Sequence, residues 1–373
     1  MKLGFTPEQE ALRADFARLL ARGDRRAALA DTGVAAGNTG PADAALWRAL
    51  AEGGWLAAAW PESRGGSGLD APTLCVLAEE AGRALSAVPF VASACAFVHG
   101  LQLADGEGMA PDALGAALAD GSARGVLLTD DCWPQPPQLS GAGVLSLELS
   151  GCARQVPDAA SATHALACVG EGEGARLLLL QLQFDQLAAP GAALDLLHPS
   201  GDLHFASHAA QVLARGAQAL ARWQAACDAQ AVFVAFEQLG GAEAALQAAR
   251  AYSLQRYAFG RPIGSFQALK HLMADMLVAV ELARSNCLYG AAVLASRSDE
   301  LSEAAAVARI SATEAFRSCA IGSTQVHGAI GVTWEADCHL FYRRAQALAG
   351  TPGSLASWKH RLVGLLQQRA AAA

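Results

Sequence analysis

The 373-residue chain carries little charge and few aromatic side chains. Asp, Glu, Lys and Arg together make 17%, and Phe, Trp and Tyr make 6%. Basic residues are the scarcer sign, 27 against 35 acidic ones, for a net charge of −8. A nucleic-acid footprint needs basic excess, so no such partner is expected. No stretch of about 20 residues runs apolar without charge or strong polarity, so no membrane span is expected. The opening MKLGFTPEQEALRADFARLL has no unbroken apolar stretch and no cleavage signature, so no signal peptide is expected either. No two of the nine cysteines form a CxxC pair, and their number is odd. Scattered thiols in an unexported chain read as reduced core residues, without a metal site, and point to the cytoplasm.

Apolar residues, alanine above all, are what the chain has in quantity. They make up 53%, enough for a large core and too much for a disordered chain. At about 150 residues per domain, the length suggests two or three domains. Alanine is the best helix former, so the first expectation is a mostly helical fold.

The order of elements reads α, then β, then α. Thr6-Pro7-Glu8-Gln9 is a capping box with proline at the first helical position. Leu12, Phe16, Leu19 and Leu20 then follow one helical face. A second helix ends near Glu52, a Gly- and Pro-rich loop spans Trp60 to Asp70, and helical pattern resumes from about Ala71 to Leu85. From about Ser122 short apolar runs take over: GVLLTD (125–130), VLSLEL (144–149), HALACV (164–169) and RLLLLQLQF (176–184). Cys152 to Asp158 and Gly170 to Gly174 read as turns between them. After Gly216 long helical patterns run from about Ala217 to Tyr257, from Ser265, and from Ser302 to Thr324. The expected architecture is mainly α with a small β domain. An N-terminal helical domain covers 1–121, a β-barrel-like domain 122–213, and a four-helix bundle 214–373.

Four stretches are unusual for plain bundle sequence: WPESRGGSGLD, RYAFGRPIGSFQALKH, QVHGAIGVTWE and HLFYRRAQALAGTPGS. In RYAFGRPIGSFQALKH, Arg256 and Arg261 flank a glycine-bearing turn, and Ser265 is placed to cap the following helix. Cationic side chains beside a helix N-terminus suit an anion, although a plain helix hairpin with solvated arginines uses the same residues. In QVHGAIGVTWE, Gln325 falls in a last helical turn and Gly328 and Gly331 follow. Small residues there let a ligand approach the backbone, and a glycine-capped helix stop reads the same way. There is no GxGxxG after a strand, so a Rossmann site has no support.

Taken together, GGWLAAAWPESRGGSGLD, EQLGGAEAALQAARAYSLQRYAFGRPIGSFQALKHLMADM and QVHGAIGVTWEADCHLFYRRA resemble the acyl-CoA dehydrogenase family of flavoproteins over almost the whole chain. TWE and FYRRA are most similar to bacterial members acting on bulky, often steroid-derived, acyl-CoA thioesters. The resemblance implies FAD and α,β-desaturation of an acyl-CoA. It also implies an oligomer, homomeric or with a related dehydrogenase subunit, because a second subunit supplies part of each flavin site. An electron-transfer flavoprotein is the kind of acceptor it brings with it. By motif position, Arg256 binds the flavin pyrophosphate of a partner subunit and Phe259 and Gln267 lie near the same cofactor. Gln325, Val326, His327, Gly328 and Ala329 contact its ADP portion.

The family's base is a glutamate at one of two places, and these are Pro352 and Gln230 here. Neither accepts a substrate proton. Glu237 and Asp228 are the nearest carboxylates, and Glu237 also reads as a buried structural partner of an arginine. The segment TDDCWPQPPQLSG, Thr129 to Gly141, stands where the family keeps the loop that holds the flavin ring. Three readings follow: a dehydrogenase with another base, a non-catalytic subunit that completes a sibling's FAD site, or a relative using flavin for other chemistry.

Overall fold

The structure is a computed structural model and describes residues 4–31, 41–105, 112–141, 143, 145–183 and 193–372. Val144 and Phe184, at the ends of two expected strand runs, lie outside these. Helices α1 (Pro7–Leu20), α2 (Arg25–Asp31), α3 (Ala44–Glu52), α4 (Ala71–Arg83), α5 (Val98–Ala104) and α6 (Asp112–Ala119) precede a sheet. Its strands are β1 (Gly125–Leu128), β2 (Gln138–Ser140), β3 (Ser146–Pro157), β4 (His164–Val169), β5 (Arg176–Gln181) and β6 (Ser200–Arg215). Then come α7 (Gly216–Gln255), the short strands β7 (Tyr257–Ala258) and β8 (Arg261–Pro262), α8 (Gln267–Ser296), α9 (Leu301–His327), α10 (Cys338–Gly350) and α11 (Leu355–Ala372). Helices thus flank a middle sheet, as the composition and patterning imply. The chain divides into two compact units, one of residues 1–17, 75–86 and 231–373 and the other of 18–74 and 87–230.

In the second unit the sheet runs in the order β1-β4-β5-β6-β3-β2, with only β1 and β4 parallel. Its inner face buries Leu149, Val156, Ala165, Leu178, Leu180, Phe205 and Val212 in one core. Two sequence expectations need correction. Cys152 to Asp158 is not a turn, because β3 continues through it to Pro157. The turn-forming residues mark register shifts at Leu149/Gly151 and Ala153/Val156, and Gln155 (φ 51°) and Asp158 (φ 57°) take left-handed conformations. The sixteen-residue β6, which pairs with both β3 and β5, was not anticipated. Its centre, Ala206 to Gln211, is small and polar and carries little alternation.

In the first unit α9 packs on α8, α10 and α11. It can do so because the inward positions are small: Ala304, Ala305, Ala308, Ala312 and Ala315 are all buried. Two glycines of α7 explain the close crossings. A Cβ on Gly240 would fall 1.8 Å from the Glu79 carbonyl oxygen, and one on Gly241 would fall 2.5 Å from the Phe316 ring. From the α4 side, a Cβ on Gly82 would fall 1.9 Å from the Glu237 carbonyl oxygen. The capping box forms, with Thr6 N donating to Gln9 Oε1 (2.9 Å) and Gln9 N to Thr6 Oγ1 (3.2 Å). Ser265 does not cap α8: it lies in a 3₁₀ turn, its hydroxyl donates to Pro262 O (2.7 Å), and Phe266 holds the cap position.

An ion network sits beside the Gly240 crossing. Glu79, with a fully buried side chain, takes Arg13 (3.2 Å), Arg83 (3.0 Å) and Arg284 (3.0 Å). Glu243 takes Arg83 (3.0 Å) and Arg284 (2.7 Å). Burial pushes the Glu243 carboxyl up, but its hydrogen bonds and charge contacts with Arg83 and Arg284 outweigh this and hold it below the usual range. For Glu80 burial wins over Arg83 and the carboxyl is raised.

Two outcomes follow for stability. Gly240→Ala should cost about 1–3 kcal/mol or more, because the obstruction is backbone and cannot rotate away; thermal melts measure this. Glu243 has a depressed folded-state value, so its contribution is present above its ordinary value of 4.5 and is lost as pH falls through the folded value. Glu243→Gln should therefore cost roughly 1.5–3 kcal/mol at pH 7 and progressively less in denaturant melts at acid pH. Glu80 is raised, so its ionisation opposes folding as pH rises through the folded value, and Glu80→Gln should cost less than Glu243→Gln at pH 7.

Candidate functional site

The motif residues of the first unit gather at one end of its helices. β7 and β8 form a hairpin in which Tyr257 pairs with Pro262 and Ala258 with Arg261. The connecting residues Phe259 (φ 53°) and Gly260 (φ 76°) both have positive φ, the geometry of a two-residue hairpin turn. Glycine tolerates this; phenylalanine in that region is strained by on the order of 1–3 kcal/mol. The strained ring is 95% exposed and meets Phe266 edge-on at 6.2 Å. The Arg261 guanidinium lies over the other ring of that pair, Phe266, at 4.2 Å. Arg256, at the base of the hairpin, is exposed, and its backbone accepts from Ile263 N (2.8 Å). Among the described residues no hydrogen bond or ion pair engages its guanidinium. Gln267 is exposed in the first turn of α8.

The second motif ends α9. Gly328 caps the helix in a conformation (φ 64°, ψ −139°) that suits glycine, and a 3₁₀ turn, Gly328–Val332, follows. Gln325, Gly328 and Ala329 are exposed. Val326 is buried, so its side chain faces the packed interior. His327 is partly buried, its Nδ1 is 2.7 Å from Ser323 O, and its ring stacks on Tyr252 at 4.3 Å. Tyr252 lies one helical turn before Arg256, so this stack brings the two motifs together. Tyr257, Val332 and Trp334 are also exposed apolar side chains, a signal that sequence periodicity does not reveal.

The base positions are arranged differently. Pro352 is buried; its carbonyl accepts from Trp358 Nε1 (2.8 Å). The preceding Thr351 O accepts from Arg309 (3.1 Å), a buried arginine that also donates to Leu348 O and Gln238 Oε1. Gln230, on α7, keeps a buried Oε1 without a hydrogen-bond partner among the described residues. Asp228 is buried. Glu237 Oε1 accepts from Arg344 at 2.8 Å, both side chains are nearly enclosed, and Arg344 also donates to Ser86 O (3.1 Å).

In the second unit Thr129 Oγ1 donates to Asp131 Oδ1 (2.5 Å), and Asp130–Cys132 form a 3₁₀ turn. Burial and then the Asp131 charge push the Cys132 thiol up to about 12. The hydroxyl of this turn is spent on Asp131.

Exposed residues at the hairpin end fit a large anionic dinucleotide. They offer an unengaged guanidinium, two amides and a glycine backbone that a ligand can approach closely. Among the described residues no group of three His, Cys, Asp or Glu is placed to hold a metal ion.

Residues 6–104 match the N-terminal domain of acyl-CoA dehydrogenases and residues 220–356 match the C-terminal domain. The acyl-CoA dehydrogenase IpdE2 of Mycobacterium tuberculosis is 32% identical over 345 residues, covering 92% of each chain. Among solved structures, the Tcur3481–Tcur3483 steroid ACAD is 27% identical with a TM-score of 0.81, covering 97% of this chain and 99% of its own. The ChsE4–ChsE5 complex from Mycobacterium tuberculosis shares the fold at 24% identity, with a TM-score of 0.84 over 98% and 99% of the two chains. The chain belongs to the acyl-CoA dehydrogenase family, whose members are FAD-dependent.

Proposed function

We propose that this chain is a subunit of a hetero-oligomeric acyl-CoA dehydrogenase and completes the FAD site of a related catalytic subunit. The observation that carries the reading is the fate of the carboxylates. Pro352 and Gln230 occupy the two places of the family's glutamate, and Glu237 is committed to Arg344 inside the protein. A carboxylate in such a pair is a poor acceptor for a substrate proton, because protonating it would leave Arg344 buried without its counter-charge.

FAD, when bound, accepts the hydride that leaves the acyl Cβ. This chain's part is to hold the cofactor. Arg256 would bind the pyrophosphate, while Gln325 and the backbone at Gly328 and Ala329 would meet polar edges of the ADP portion. Phe259 and Gln267 would line the same cofactor. Val326 would support the turn from inside, and the Tyr252 stack would orient His327. The Thr129–Cys132 turn spends its hydroxyl internally and carries two acids, so it is ill suited to hold a flavin ring; the ring would be held by the sibling.

Assembly has support in α8. By length and composition it could cross a membrane, yet Met276, Val280, Ala283 and Cys287 face the interior while Leu277, Val278 and Leu282 are exposed. A second apolar stripe on a bundle helix suits another subunit. The steroid ACAD relative supports a bulky, ring-bearing acyl-CoA as the substrate of the complex. An electron-transfer flavoprotein would take the electrons, in the cytoplasm.

Three outcomes test this. Sedimentation at micromolar concentration should show a dimer or larger species; a stable monomer contradicts the reading. Arg256→Ala should lower flavin affinity of the complex about tenfold or more, and unchanged flavin content would contradict its assignment. The purified chain with FAD should reduce no acceptor with any acyl-CoA. Desaturation by the unmodified chain, abolished in Glu237→Gln, would instead identify Glu237 as a working base.

A further inference from the structure

The second unit holds a crevice of about 520 Å³ between α6 and the outer face of the sheet, within the usual range for small-molecule sites. None of its residues belongs to the flavin-binding set. Sheet register places its polar groups side by side. His164 opposes Gln181, while Gln211 opposes both Leu179 and Ser146. His208 Nε2 lies 2.9 Å from Gln181 O, which ties the edge of the crevice to the β5 backbone. Leu114 and Leu179 form a buried apolar floor, and Ala113 and Ala117 keep the α6 wall low.

The chemistry of this lining is selective. Among the described residues it contains no Lys, Arg, Asp or Glu. His164 is half-buried, its Nδ1 is 2.9 Å from Thr163 Oγ1, and burial lowers its pKa, which favours the neutral imidazole. A phosphate or carboxylate would enter without a counter-charge and lose its hydration. The exposed Gln181 carboxamide at the rim offers adjacent donor and acceptor atoms, and the floor is apolar with small side chains beside it. That combination suits a flat, uncharged ring with a hydrogen-bonding edge.

We infer that the crevice between α6 and β4–β6 binds an uncharged heteroaromatic ligand of the nucleobase or nucleoside class. The full-length chain, titrated calorimetrically with adenosine and with uridine in the presence of excess FAD, tests this; the excess removes competition from the dinucleotide-binding residues. At least one nucleoside should bind saturably at millimolar concentration or below, and adenosine monophosphate at least tenfold more weakly than adenosine. Ala117→Trp should fill the crevice and abolish binding with the helical content of the chain unchanged. Gln181 is exposed, so Gln181→Ala keeps the fold and should weaken binding about two- to tenfold through loss of the amide edge. Absence of saturable binding, tighter binding of the monophosphate, or equal affinity in both variants would overturn the inference. These outcomes are independent of the base and of subunit pairing.

Discussion

Backbone contact at Gly240 and Gly82 sets the geometry of the helical unit. With no side chain at either glycine, α4 and α7 approach until carbonyl oxygens lie where Cβ atoms would be. The approach places Glu243 of α7 within reach of Arg83 of α4, and Arg284 of α8 joins both Glu79 and Glu243; one turn away Glu237 faces Arg344. Close packing and charge burial therefore depend on each other. Each buried carboxylate needs its arginine; Glu79 finds Arg83 on its own helix, while Glu243 reaches Arg83 and Glu79 reaches Arg284 across helix contacts. The space beside Gly240 and Gly241 is filled by Glu79 and Phe316.

This arrangement also fixes what the carboxylates can do. Family chemistry needs a glutamate able to accept a proton beside the acyl Cα. Here Glu79, Glu237 and Glu243 serve as counter-charges to arginines. The loop around Pro352 is held by Arg309 and Trp358 through its carbonyl oxygens, so its backbone is secured while its side chain offers no base. At the opposite extreme, Arg256, Gln267 and Gln325 are exposed, and Phe259 is held outward in a strained turn. Glu79, Glu237 and Glu243 paired inside, with a cation, amides and a ring exposed at one end, are what support the proposed cofactor-holding subunit.

Much of this was legible in the sequence. The capping box at Thr6 and Gln9 follows from local chemistry alone, and the long helices α7 to α9 follow from periodicity. The sequence allows Glu237 either to pair with an arginine or to act as a base, and only the tertiary structure identifies Arg344 as its partner. The strand through Cys152 to Pro157 was hidden because bulges use the same Gly, Pro and Asp residues as turns. β6 was hidden because its centre is small and polar. Ser265 looked like a helix cap but spends its hydroxyl one turn earlier, on Pro262. The exposed stripe on α8 had no signal, since periodicity marks apolar faces without saying whether the same chain covers them.

The most direct test of the account is a count of flavins against chains by native mass spectrometry, for the chain alone and after co-expression with a dehydrogenase whose glutamate is intact. The account predicts little or no flavin on the chain alone, and a mixed oligomer holding fewer flavins than chains. A homomer of this chain that carries as many flavins as chains, and whose flavin is reduced by an acyl-CoA, would contradict it.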